Sequence, residues 1–250
     1  MTRTLLITGA SRGIGAATAR LAAKRGYNVA INYAANQAAA ESVATDVTRA
    51  GCKAILLKAD VGDAAQVRAM FAECDRQLGR LDAFFNNAGV LFPHRKFVDI
   101  GEDQLDRMIA VNLKGAYIAA QEAARRLMKS NGGNGGAIVN MSSMGAKLGG
   151  AGECTDYGAT KGAIETLTIG MAKELAGEGV RVNAVRPGLI DTEIHASAGE
   201  PGRVKRLMGT VPMGRAGTAD DVAEAVLWLL SDASGYTTGN IIDIAGGRGI

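Results

Sequence analysis

The chain has 250 residues, 47% of them hydrophobic and 21% charged, with a formal net charge of +3. Area scaling at this length gives roughly 10,500 Å² exposed when folded against roughly 37,000 Å² unfolded, so the chain can bury a self-supporting core without staples. The charges are scattered, which excludes a basic stripe for nucleic acid or an anionic membrane, and no apolar run approaches the roughly 18 residues of a spanning helix.

In chain order, a strand at 4–7 runs into Thr8-Gly9-Ala10-Ser11-Arg12-Gly13-Ile14-Gly15 and then a helix at 14–25. Three glycines at that turn allow a sharp reversal and let a pyrophosphate sit against the helix N-terminus, although the spacing G-x3-G-x-G departs from the dinucleotide fingerprint G-x-G-x-x-G. A ligand-free glycine turn is the bland alternative. Strands then alternate with helices: 28–32 with 38–50, 54–57 with 64–78, 83–85 with 105–128, and 137–141 with 157–176. A strand at 180–185, a mixed segment, a helix at 219–230 and a strand at 240–244 complete the pattern. Strands apolar on both faces, separated by amphipathic helices, predict an α/β fold: a doubly wound, seven-stranded parallel sheet, Rossmann-like, in a single domain over 1–250.

The opening MTRTLLITGA has too short an apolar stretch for a secretory signal, so a cytoplasmic enzyme is expected. Cys52, Cys74 and Cys154 are odd in number and far apart, and only His94 and His195 accompany them, so neither a disulfide scaffold nor a metal site is expected. Cys154 reads as a small residue packed under a loop, and both histidines as solvated loop residues, with His195 also a candidate substrate contact.

Tyr157 and Lys161 stand at i and i+4 of a helix, so both project from one face. Bringing a tyrosine from about 10 to about 7 takes roughly 4 kcal/mol of differential stabilisation, which a nearby ammonium and a cationic ring can supply. Such a tyrosine can donate a proton to a nascent alkoxide or, ionised, withdraw one from an alcohol. Ser143 follows the strand at 137–141 with no histidine near in sequence to activate it, which suits a hydrogen-bond donor to a substrate oxygen; Ser142 competes for that role.

TGASRGIG, the Asn86-Asn87-Ala88-Gly89 segment, Ser143 and Tyr157-x-x-x-Lys161, in this order and over nearly the whole chain, resemble the short-chain dehydrogenase/reductase family. INYA, GAIVNMSS and VRPGLIDTEI look closest to the branch holding ketoacyl carrier-protein reductases and glucose dehydrogenases. The resemblance implies an oxidoreductase that interconverts a carbonyl and an alcohol of small or medium size by hydride transfer, with Asn112, Ser143, Tyr157 and Lys161 as its catalytic set. Asn112 would hold a relay water by its carbonyl, and Lys161 would also bind the nicotinamide ribose. One extra residue between Ser143 and Tyr157 relative to the family keeps Ser142 in contention. The cofactor would lie on Gly9, Ser11, Arg12, Gly13, Ile14 and Gly15, on Asp60 and Val61 at the adenine, and on Asn86, Asn87, Ala88 and Gly89 at the ribose. Pro187, Gly188, Ile190 and Thr192 would grip the carboxamide and phosphate.

At the end of the second strand an NAD enzyme of this fold places an acid, whereas this chain has Asn32 and Tyr33, with Arg12 nearby in the glycine loop; NADP(H) is therefore expected over NAD(H). The family also implies a homotetramer, built on helices near 105–128 and 157–176 and on the last strand. A non-catalytic dinucleotide-binding sensor or scaffold is the alternative function. The loops at 92–95, 144–156 and 189–208, expected to wall the substrate pocket, carry no obvious charge clamp.

Overall fold

The computed structural model describes residues 2–249. Strands β1 (Arg3–Ile7), β2 (Tyr27–Tyr33), β3 (Ala54–Lys58), β4 (Ala83–Asn86), β5 (Gly136–Met141), β6 (Val180–Pro187) and β7 (Ile241–Ile244) form one sheet in the order β3-β2-β1-β4-β5-β6-β7. Every neighbouring pair is parallel, as the apolar strands predict. The helices are α1 (Gly13–Lys24), α2 (Gln37–Arg49), α3 (Ala64–Leu78), α4 (Glu102–Ile109), α5 (Ala116–Leu127), α6 (Met144–Leu148), α7 (Thr155–Leu175), α8 (Ile194–Ser197), α9 (Arg203–Leu207) and α10 (Ala219–Leu230). The exposed area is 11,114 Å², close to the value expected from chain length.

Alternation along the strands sends successive side chains to opposite faces and builds two cores. Leu5, Ile7, Val29, Ile31, Phe85 and Val139 face α1, α2 and α10, whose Ala19, Val43 and Val226 are fully enclosed. Leu6, Ala30, Phe84, Ile138 and Val182 face the other way, onto Phe71 of α3, Ala123 of α5 and Ala172 of α7. Both faces of a central strand thus need apolar residues, and each has them.

The predicted helix at 105–128 is two helices. Between α4 and α5, residues Ala110–Gly115 form a wide π-type turn, because Asn112 is diverted from the helix to the β4 loop: its Oδ1 accepts from the Val90 amide at 2.8 Å and its Nδ2 donates to the Val90 carbonyl at 2.9 Å. Gly115 closes the joint, since a Cβ there would lie 2.2 Å from the Val61 carbonyl oxygen. The mixed segment after β6 holds the short helices α8 and α9. The sheet order reverses direction between β1 and β4, so the loops leaving those two strands diverge and open a crevice at their carboxyl ends.

Candidate active site

A cavity of about 670 Å³ occupies this crevice. Gly9, Ser11, Arg12, Gly13, Ile14, Gly15, Asn32, Tyr33, Asp60, Val61, Asn87, Ala88, Gly89, Ser143, Tyr157, Lys161, Pro187, Gly188, Ile190 and Thr192 all border it. Asn112 does not; it is buried behind Gly89, whose Cβ position lies 3.3 Å from the Asn112 Oδ1 and 3.6 Å from the Lys161 Nζ.

The glycine loop suits an anionic ligand. Gly9 and Gly13 adopt φ of +64° and +53°, and a Cβ on Gly15 would stand 2.5 Å from the Gly9 carbonyl oxygen. Asn87 stitches the loop to β4, donating from Nδ2 to the Thr8 and Gly9 carbonyls at 2.8 and 3.0 Å. The N-terminus of α1 carries neither a side-chain cap nor an acidic residue in its first turn, which leaves its amides and dipole available to a pyrophosphate.

Several side chains do other work than the sequence implies. Asn32 is almost fully buried: its Oδ1 accepts from the Gly9 amide at 3.0 Å, while its Nδ2 donates to the Leu57 and Ala59 carbonyls at 3.1 and 3.0 Å. Its amide therefore has no hydrogen left for a ribose phosphate, and it supplies a neutral strand end instead. Asn86 turns away from the cavity to donate to the Ala116 carbonyl and to Asn140, which in turn donates to Thr168. Arg12 is exposed and reaches Ser197 of α8 at 3.2 Å, tying the glycine loop to the segment after β6. Asp60 accepts from Gly62 and from Arg107, a cavity residue the motifs did not mark.

Ser143, Tyr157 and Lys161 converge. The Ser143 hydroxyl lies beside the Tyr157 phenol, whose pKa it lowers, and it caps α6 by accepting from the Gly145 amide at 3.1 Å. Ser142 points elsewhere, donating to Glu165 at 2.6 Å, and Glu165 is itself clamped by Arg186 at 2.7 and 2.8 Å. Lys161 lies buried with its Nζ 5.5 Å from the Tyr157 ring centroid, donating to the Met141 carbonyl at 2.8 Å. Burial pushes the Lys161 ammonium down to about 8. Burial pushes the Tyr157 phenol up to about 12, against the opposing effects of the Ser143 hydroxyl and the Arg203 charge. The protein's own groups thus hold Tyr157 protonated, because desolvation outweighs the charges nearby.

The histidines are not solvated. His195 is buried with its Nε2 2.9 Å from the Ile190 carbonyl, and burial lowers its pKa. His94 is paired through Nδ1 with Glu200 at 2.9 Å. Cys154 borders the cavity with its thiol pushed up to about 11 by burial, which makes it a packed residue rather than a nucleophile. His94, Glu153 and Cys154 bring potential ligand atoms within 4.8 Å of one another. Glu153, however, spends its two oxygens on Arg203 and Arg206, each at 2.6 Å, so the trio is knit by guanidinium groups.

Residues 9–248 match the family model described as Enoyl-(Acyl carrier protein) reductase. The chain is 50% identical over 243 residues to the uncharacterized oxidoreductase YgfF of Escherichia coli, covering 97% of this chain and 98% of that protein. It is similar to a short-chain dehydrogenase of Burkholderia cenocepacia solved in complex with NADP, at 31% identity and a TM-score of 0.91 over 100% of this chain and 99% of that one. A 3-ketoacyl-(acyl-carrier-protein) reductase of Brucella melitensis complexed with NADH is equally close, at 32% identity and a TM-score of 0.91, covering 99% of this chain and 98% of that one.

Proposed function

The chain belongs to the short-chain dehydrogenase/reductase family, an oxidoreductase working between a carbonyl and a CH–OH group with NAD(P), and we propose that it is an NADP(H)-preferring carbonyl reductase for small or medium substrates. The observation that carries the reading is the meeting of Ser143, Tyr157 and Lys161 at the cavity that the glycine loop opens.

The bound nicotinamide would supply or accept the hydride. Tyr157, protonated at neutral pH, gives its proton to the substrate oxygen as the carbonyl is reduced. Ser143, beside that phenol, holds the same oxygen and stabilises its developing charge. In the oxidising direction Tyr157 must first release its proton to solvent, and the Lys161 ammonium beside the ring stabilises the phenolate that remains. Asn112 acts at one remove, fixing Val90 and the π-type turn beside Gly89 and Lys161. Gly188 and Ile190 hold the floor of the site through the Ile244 carbonyl and His195.

NADP(H) preference rests on the absence of a carboxylate at the end of β2, where neutral Asn32 and Tyr33 stand, and on the exposed Arg12 guanidinium in the adjoining turn. The three cysteines are free, which fits a cytoplasmic address. A homotetramer belongs to the same reading. A panel of ketones and aldehydes followed by NADPH and NADH absorbance tests it: kcat/KM is expected to be at least tenfold higher with NADPH, and Arg12→Ala is expected to narrow that ratio. Failure to oxidise NADPH with any carbonyl would leave the non-catalytic alternative, and equal use of NADH would reject the role given to Arg12.

A further inference from the structure

The loops around Tyr157 hold more positive charge than the sequence suggests. Arg203 of α9 and Arg248 of the tail after β7 both border the cavity, with His195 and Glu153. Glu153 and Glu200 serve as counter-charges, but their oxygens are engaged by Arg203, Arg206 and His94. Two guanidiniums and an imidazole therefore take up the two carboxylates, and the side chain of Arg248 has no hydrogen-bond or ion-pair partner among the described residues.

The chain path brings Arg248 to the cavity. Gly246 and Gly247 take φ of +58° and +86°, turning the tail back against Val211 and Pro212, a path closed to ordinary residues. A second observation points to a ligand. The buried side-chain polar atoms without a partner among the described residues are His94 Nε2, Thr155 Oγ1, His195 Nδ1 and Arg203 Nε, and of their residues Arg203 and His195 line the cavity. The Arg203 Nε is 3.9 Å from the nearest Glu200 oxygen, beyond hydrogen-bond reach. Arg203 Nε can only donate, and burying a donor without an acceptor is costly, so beside the unpartnered Arg248 it calls for an acceptor from outside the chain.

We propose that Arg203 and Arg248 form an anion-recognising wall, and that the substrate is a carbonyl compound bearing a carboxylate, held there while its carbonyl oxygen meets Ser143 and Tyr157. The inference rests on the carbonyl-reductase reading for its reaction and on the wall itself for its charge. Remaining cavity acids lie apart from this wall: Asp60 is paired with Arg107, and Glu193 stands by Gly13 of the glycine loop.

The test is binding first and turnover second. With the full chain saturated with NADPH, calorimetry compares butanoate, butanamide and inorganic phosphate. Butanoate is expected to bind at least tenfold tighter than butanamide, and Arg248→Gln to reduce that gap below threefold, while NADPH affinity reports that the variant is folded. Kinetics then compares 4-oxopentanoate with its methyl ester, with the same preference expected, expressed in KM. Equal binding of butanoate and butanamide, or a gap that survives Arg248→Gln, overturns the wall. Phosphate bound tighter than butanoate overturns the carboxylate assignment. If neither oxo compound is reduced but the Arg248-dependent gap persists, the reaction reading fails and the anion site stands.

Discussion

Tyr157 and Lys161 sit four residues apart on one helix, and burial displaces their protons in opposite directions, the phenol up to about 12 and the ammonium down to about 8. Tyr157→Phe removes only the acidic proton, so kcat is expected to fall roughly a hundredfold to ten-thousandfold with NADPH affinity near that of the parent. Stopped-flow reduction with a verified substrate checks it, and retention of most of kcat would remove Tyr157 from the chemistry. Lys161 leaves a mark on stability. Its ammonium is disfavoured in the fold, so between pH 8 and its unfolded value near 10.5 the unfolded chain binds more protons and stability contributed at this site rises with pH. Relative to Lys161→Met, the parent is expected to gain on the order of 2 kcal/mol between pH 8 and 10 in chemical denaturation. A constant difference across that range would show that Lys161 is not desolvated.

At the scale of elements, the site is a set of joints between strand ends. Asn32 links the glycine loop to the end of β3, and Asn87 links it to β4. Asn32→Asp looks from sequence like a way to switch cofactor, yet it would set a buried carboxylate against the Leu57 and Ala59 carbonyls and lose two donated hydrogen bonds. We expect it to cost roughly 2–3 kcal/mol of stability, read as a lowered denaturation midpoint, before any gain in NADH use; an unchanged midpoint would contradict the joint. The same logic explains Asn112. In sequence it is one polar residue in an apolar helical period, and the period alone has no term for a side chain that replaces a helical hydrogen bond with a pair to another loop.

For the whole molecule, α4, α5 and α7 leave Leu105, Ile109, Tyr117 and Ile169 exposed on one side, and α10 leaves Trp228 exposed near the sheet edge. Apolar side chains gathered on neighbouring helices favour burial against a second copy. Light scattering at micromolar concentration is expected to give four protomers, and Ile109→Glu with Ile169→Glu to reduce the particle to dimers. A monomeric parent would refute the assembly.

Local periodicity was enough for the architecture. Strand alternation with apolar residues on both faces, the glycine turn after β1 and the i, i+4 pair on α7 are set by neighbours within a few residues, so the parallel sheet and the location of the reactive pair were legible in the chain itself. What tertiary structure decided depends on partners far away in sequence. Ser142 and Ser143 are adjacent and chemically identical, and only Glu165 on one side and Tyr157 on the other separate them. His195 reads as a loop residue until the fold closes over it, and Arg248 reads as a tail residue until two glycines turn it back over the cavity. Burial and charge at a site are sums over everything packed around it, and a linear pattern carries the neighbours along the chain but not those across the crevice.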